Sequence, residues 1–218
     1  MLHDFQSMLS RLYGIEQSLD VRDFLLTDAR LLAELEGTGD ARPAPEKVLV
    51  HESAGELGIT LYLDAELLER LTSRDPRRRL TRANLADFWT VLEGVSHFNY
   101  ITWNAAADKS ITLLEVEMQA EVDKYVSALL LLGQQSDSGL IKSLFGRLFD
   151  DPTFDANLGP RELSRYRAAS LYAGRFCHSL EQRFPAASFA PAMLTELRAF
   201  FRQSQPEKVG HIQSALFA

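Results

Sequence analysis

Two long helical patterns joined by only three residues, Asp108-Lys109-Ser110, constrain the fold of this chain more than any other feature. From about Asn84 to Ala107 the apolar set Leu85, Phe88, Trp89, Leu92, Val95, Phe98 and Thr102 follows the 3.6-residue period. Asp87, Thr90, Glu93, His97, Asn104 and Asp108 form the opposite, polar stripe. From about Ile111 to Leu132, Leu114, Met118, Val122, Tyr125 and Leu129 share one face, and Glu117, Glu121 and Lys124 another. So short a connection turns the two segments into an antiparallel helical hairpin, which is expected to be the spine of the fold.

The flanking sequence is expected to pack more helices on that spine. Helical spacing recurs at Leu2, Phe5, Leu9 and Leu12, from about Asp20 to Glu36, after Gly139, from Pro160, from Pro191 and from Pro206. One stretch changes period. Val48 and Val50 alternate with Leu49 and His51, a turn-like Ser53-Ala54-Gly55-Glu56-Leu57-Gly58 follows, and Ile59, Leu61 and Leu63 alternate with Thr60 and Tyr62. That alternation predicts a β-hairpin at about 47–63, which is too small to stand alone in water. The fold class is therefore mainly α: a multi-helix bundle built on a long antiparallel hairpin, with one small β-hairpin. A single compact unit over residues 1–218 is expected, with N-terminal helices and the hairpin at about 1–72 and the helical bundle at about 81–218.

Composition narrows the function classes. The formal net charge is −7, which disfavours global affinity for nucleic-acid phosphates or an anionic membrane. Cys177 is the only cysteine, so an intramolecular disulfide is excluded and a reducing, cytoplasmic setting fits. No window approaches the ~20 uncharged apolar residues of a membrane span, and the first residues lack a basic stretch followed by an apolar one, so no membrane partner is expected. The chain contains no G-x-S-x-G elbow, phosphate-binding G-x-x-x-x-G-K-[ST] loop, dinucleotide G-x-G-x-x-G, C-x-x-C pair or H-E-x-x-H helix.

Three constellations carry chemistry. Folding the hairpin about residue 109 brings His97 level with Glu121, and Glu93 and Glu117 each lie four residues before one of them. Glu93, His97, Glu117 and Glu121 then share one stripe that can bind a transition metal or a di-metal pair; otherwise they form a solvated polar face. The segment Asp151 to Glu162 resembles an EF-hand calcium loop, with oxygen donors at Asp151, Thr153, Asp155 and Asn157 and a glutamate, Glu162, at position twelve. It departs from that pattern at Ala156, where the loop needs glycine, and the plainer reading is a solvated loop that caps the next helix. Finally, Arg74, Arg77, Arg78, Arg79 and Arg82 place five arginines in nine residues. Their guanidinium forks suit an anion or an acidic partner, yet no aromatic residue interrupts them to stack a base.

With no catalytic motif in view, the leading expectation is a non-catalytic interaction or regulatory protein, adaptor-like, whose partner is another protein or a second copy rather than nucleic acid. The alternatives are a metal-dependent helical-bundle enzyme using the Glu/His stripe, and local nucleic-acid or phosphate binding through the Arg74–Arg82 loop. No cofactor is called for beyond a divalent metal at the Glu/His stripe.

Overall fold

The computed structural model describes residues 1–37, 44–53, 56–155, 158–184 and 190–215. Ala54 and Gly55 of the expected hairpin turn, and Ala156 and Asn157 of the calcium-loop-like segment, lie outside them. The chain is mainly helical with a small sheet. Its first helix, α1 (Leu2–Tyr13), ends at Gly14, whose φ of +59° closes the left-handed cap.

The helix expected over about 20–36 is interrupted. Asp20 and Asp28 each turn a side chain onto nearby amides, Asp20 onto Arg22 and Asp28 onto Arg30 and Leu31. Such local bonds favour caps over continuous helix. A short 3-10 turn (Val21–Phe24) and the two-residue strand β1 (Leu25–Leu26) therefore precede α2 (Ala29–Glu36). The predicted hairpin forms as β2 (Glu46–Ser53) and β3 (Glu56–Leu63), with Lys47 opposite Tyr62 and Val50 opposite Ile59. β1 adds to it in parallel, so the sheet has order β1-β3-β2 and leaves β2 at an edge.

After α3 (Ala65–Ser73), which Asp64 caps through Leu67 N–H, the spine forms as expected. It comprises α4 (Leu85–Ala106) and α5 (Leu113–Gln134), joined through Asp108, whose φ is +52°. Thr112 caps α5 by accepting from Glu115 N–H. Next come α6 (Ser138–Phe145), a π-helical turn (Gly146–Asp150), α7 (Pro160–Arg183), α8 (Pro191–Arg202) and α9 (Gln205–Ala215). α4 packs against α5 on one side and against β2 and β3 on another, while α5 also packs on α7 and α6. Phe201 of α8 stacks on Tyr13, meets Tyr100 edge-on and lies tilted against Trp103, tying α8 to α1 and α4. Among the described residues, no helix is long and apolar enough to cross a membrane.

The sheet reaches α4 at Gly94. A β-carbon there would lie 2.7 Å from Leu61 Cδ1 and 2.9 Å from Glu46 Cγ, so only glycine lets β3 and β2 approach this closely. Leu61 is fully buried and has nowhere to retreat. Gly94→Ala is expected to lower stability by about 1 kcal/mol net, because overpacking of ~1–3 kcal/mol outweighs the ~1 kcal/mol gained in helix propensity. A lower urea midpoint with an unchanged slope is the reading that checks it.

Candidate functional site

α5 is buried on two polar faces as well as on its apolar ones, with Glu115, Glu117, Gln119, Asp123 and Lys124 all enclosed. One face looks toward α1 and α9. There Asp123 accepts from Tyr13, from Ser96 Oγ at 2.6 Å and from Gln119 Nε2 at 2.9 Å, and Lys208 Nζ donates to Gln119 Oε1 at 2.7 Å. Every group in this network has a partner, so it reads as an internal brace.

The other face is different. His97 on α4 lies between Glu46 on β2 and Glu117 on α5, Arg165 on α7 meets Glu117, and Lys124 on α5 bridges Glu93 on α4 to Glu121 on α5. One ligand atom each of Glu93, His97 and Glu117 lies within 4.8 Å of the others. His97 Nε2 stands 3.4 Å from Glu117 Oε2, too long for a good hydrogen bond but close to the ~3.4 Å edge of a tetrahedron with ~2.1 Å metal bonds. Of seven buried side-chain polar atoms lacking a hydrogen bond among the described residues, three are here: Glu46 Oε1, His97 Nε2 and Arg165 Nε. Buried polar atoms are normally satisfied, so this concentration marks an incomplete set of contacts.

Charged groups flank the other donor atoms, at hydrogen-bond distance only for Glu93. His97 Nδ1 faces Glu46 Oε1 at 3.5 Å, Glu117 Oε1 faces Arg165 Nε at 3.5 Å, and Glu93 Oε2 accepts from Lys124 Nζ at 3.0 Å. Each of the three ligand side chains thus has a further charged neighbour, Glu46, Arg165 or Lys124. Lys124 also donates to Glu121 Oε1 at 2.6 Å. An ammonium therefore sits between Glu93 and Glu121, where a second metal would have to bind, and the arrangement suits one metal and not two.

Electrostatics follow from the same packing. Burial pushes the carboxyls of Glu46 and Glu121 upward. Burial also opposes the charge on Glu93, but Lys124 and His97 outweigh it and hold that carboxyl below its usual range. For His97, burial disfavours the charge, yet Glu117 and Glu46 raise the imidazole well above its usual value.

The site opens outward. A cavity of about 460 Å³ reaches Glu46, Glu93, Glu121 and Lys124 from solvent, between the rings of Trp89, Phe154 and Tyr166. Trp89 Nε1 donates to the Lys124 carbonyl at 3.1 Å, which fixes its ring at the wall.

Of the expected stripe, Glu93, His97 and Glu117 come together and Glu121 joins through Lys124. His97 meets Glu117 rather than Glu121, one turn nearer the connection, because the residues facing β2 and α7 are set by rotation about each helix as well as by level along it. Glu46 and Arg165 carried no signal in the sequence, since they arrive from a strand and a distant helix.

Among the described residues, the other candidates contribute no atom to the Glu93, His97 and Glu117 group. Thr153 and Asp155 line the same cavity, Asp151 is exposed, and Glu162 is taken up at the start of α7 by accepting from Gly159 N–H at 3.0 Å. Arg77 is committed to Asp75 and Asp4. Asn84 ties down the backbone of the arginine loop through the carbonyls of Arg74 and Arg79. Arg74, Arg78, Arg79 and Arg82 are exposed. Comparison with protein-family models, with curated proteins and with solved structures finds no match to this chain.

Proposed function

We propose that this chain is a metal-dependent enzyme in which Glu93, His97 and Glu117 hold one divalent transition metal and the adjoining cavity receives a small-molecule substrate. The observation that carries this reading is that one ligand atom from each of Glu93, His97 and Glu117 lies within 4.8 Å of the other two, while Glu46, Arg165 and Lys124 flank those side chains. Charge supports it. Glu46, Glu93, Glu117 and Glu121 outnumber the cations Lys124 and Arg165, and His97 is held protonated by Glu117 and Glu46, so a divalent ion would take the place of the imidazole's proton and binding would release it.

A mixed imidazole and carboxylate set suits zinc, iron or manganese, and three protein ligands leave a coordination position for substrate. The ion would supply Lewis acidity. The chain's own groups do the rest. Glu46 and Arg165 flank His97 and Glu117, Lys124 keeps Glu93 charged and bridges it to Glu121, and Glu121 at the cavity wall, its carboxyl pushed upward by burial, is the group placed to move a proton.

Elemental analysis of the native-purified full chain tests this, followed by calorimetric titration of chelator-stripped protein with zinc and manganese. About one equivalent of a transition metal is expected; less than about a tenth of an equivalent, with no heat on titration, overturns the reading. The competing reading of a non-catalytic interaction protein draws on the edge strand β2 and on exposed Leu31, Leu35, Val50, Leu57 and Leu113. It expects no metal and no turnover, so the same measurement separates the two.

A further inference from the structure

The cavity beside the Glu/His centre does not end at Trp89. Trp89, Ala86 and Arg147 also line a second groove, of about 740 Å³, into which Arg82 and Lys142 project from the arginine loop and from α6. Trp89 is therefore a shared wall, with Glu46, Glu93, Glu121 and Lys124 on one side, Arg82 and Lys142 on the other, and Arg147 lining both. Among the described residues none of Arg82, Lys142 and Arg147 forms an ion pair; Arg147 Nε reaches only Ser143 Oγ, at 3.3 Å. Other exposed cations among the described residues, Arg78 and Arg79 included, are unpaired as well; what sets these three apart is that they line one groove beside Trp89.

The backbone contributes to this arrangement. Arg147 lies in the π-helical turn Gly146–Asp150, where the wider turn rotates it out of register with α6. Gly146 makes room for Asp150 to fold back, since a β-carbon at 146 would stand 3.1 Å from Asp150 Oδ2. Asp151 is the other carboxylate of the groove. Two guanidinium forks and an ammonium beside an indole face suit a dianionic head on a planar body.

We propose that this groove is an anion pocket, and that the molecule processed at the Glu93, His97 and Glu117 centre is a phosphate monoester with an aromatic or similarly planar body. Its phosphate meets Arg82, Lys142 and Arg147, its ring lies against Trp89, and its far end extends toward Glu93. The substrate assignment rests on the metal-dependent reading; the anion pocket itself does not.

Calorimetric titration of the full chain with phenyl phosphate, phenol and inorganic phosphate, on stripped and on zinc-loaded protein, tests it. Phenyl phosphate is expected to bind at least about tenfold tighter than either fragment. The triple variant Arg82→Gln, Lys142→Gln, Arg147→Gln, all at exposed positions, is expected to lose that binding by at least about tenfold while zinc affinity is unchanged. Phenyl phosphate binding that is equal to phenol, or indifferent to the triple variant, overturns the pocket even where zinc binds. Binding that is lost in the triple variant but needs no zinc upholds the pocket even where the metal reading fails.

Discussion

Replacing His97 by glutamine is expected to lower the zinc affinity of the full chain by at least about 100-fold while unfolding stays cooperative, since loss of a ligand should exceed the ~10–100-fold typical of losing a ligand's outer partner. Glutamine keeps a polar side chain of similar reach facing Glu46 and Glu117, but its amide lacks the imidazole's ring nitrogen lone pair. The matched control is Glu121→Gln. Glu121 contacts Lys124 and contributes no atom to the converging set, so its zinc affinity is expected to change by less than about tenfold. Equal effects from the two variants would mean that the cluster attracts cations through its net charge alone. A second outcome separates ligation from bracing. If His97 serves only as a cation between Glu46 and Glu117, the glutamine variant leaves those carboxylates uncompensated and loses several kcal/mol of stability in chelator as in zinc. Under the metal reading the larger stability difference appears in zinc, because bound metal stabilises the wild type by mass action and the variant forfeits it.

This centre was half legible in the sequence, for a physical reason. Glu93, His97 and Glu117 lie on two helices joined by a short connection, so period and antiparallel folding alone place them together. Glu46 enters from a strand that reaches α4 only because Gly94 has no side chain, an approach no local pattern announces. Arg165 looks like an ordinary surface residue of α7 until its guanidinium is seen against Glu117. Lys124 read as part of a solvated face and is enclosed, because α7 and β2 cover a stripe that two helices alone would leave open. The fold shows the same division. Long helices and the alternating hairpin were readable from period, whereas β1 is two residues long, has no period, and exists because β3 offers it an edge.

The brace on the opposite face of α5 was not legible at all, and it leads to the second large effect, a pH dependence carried by Lys208. This lysine looks like a surface residue of a short C-terminal helix, yet it is fully buried. Its ammonium faces Gln119, Glu115 and Asp123 of α5, the ring of Tyr100 on α4 at 4.9 Å and that of Phe200 on α8 at 4.5 Å. Burial dominates and pushes its pKa down to about 7, with Glu115 and Asp123 opposing. The folded value thus lies below the ordinary 10.5. Below pH 7 both folded and unfolded chains hold the proton, and the cost of burying the charge is present in full. Between about 7 and 10.5 the unfolded chain binds the proton and the folded one does not, so stability rises with pH. From pH 6.5 to 9.5 the wild type is expected to gain about 3 kcal/mol relative to Lys208→Met, at ~1.4 kcal/mol per unit. Asp123, pushed up to about 6 by burial, is held down in part by Lys208, so in Lys208→Met it titrates higher and adds to the rise in the difference at the low end of the window, while groups that do not face Lys208 cancel. Denaturant unfolding of the two proteins across the window measures it. A flat difference would mean that the rings of Tyr100 and Phe200 hold Lys208 as a permanent cation, and that α9 is docked by cation–π attraction rather than by a neutral amine.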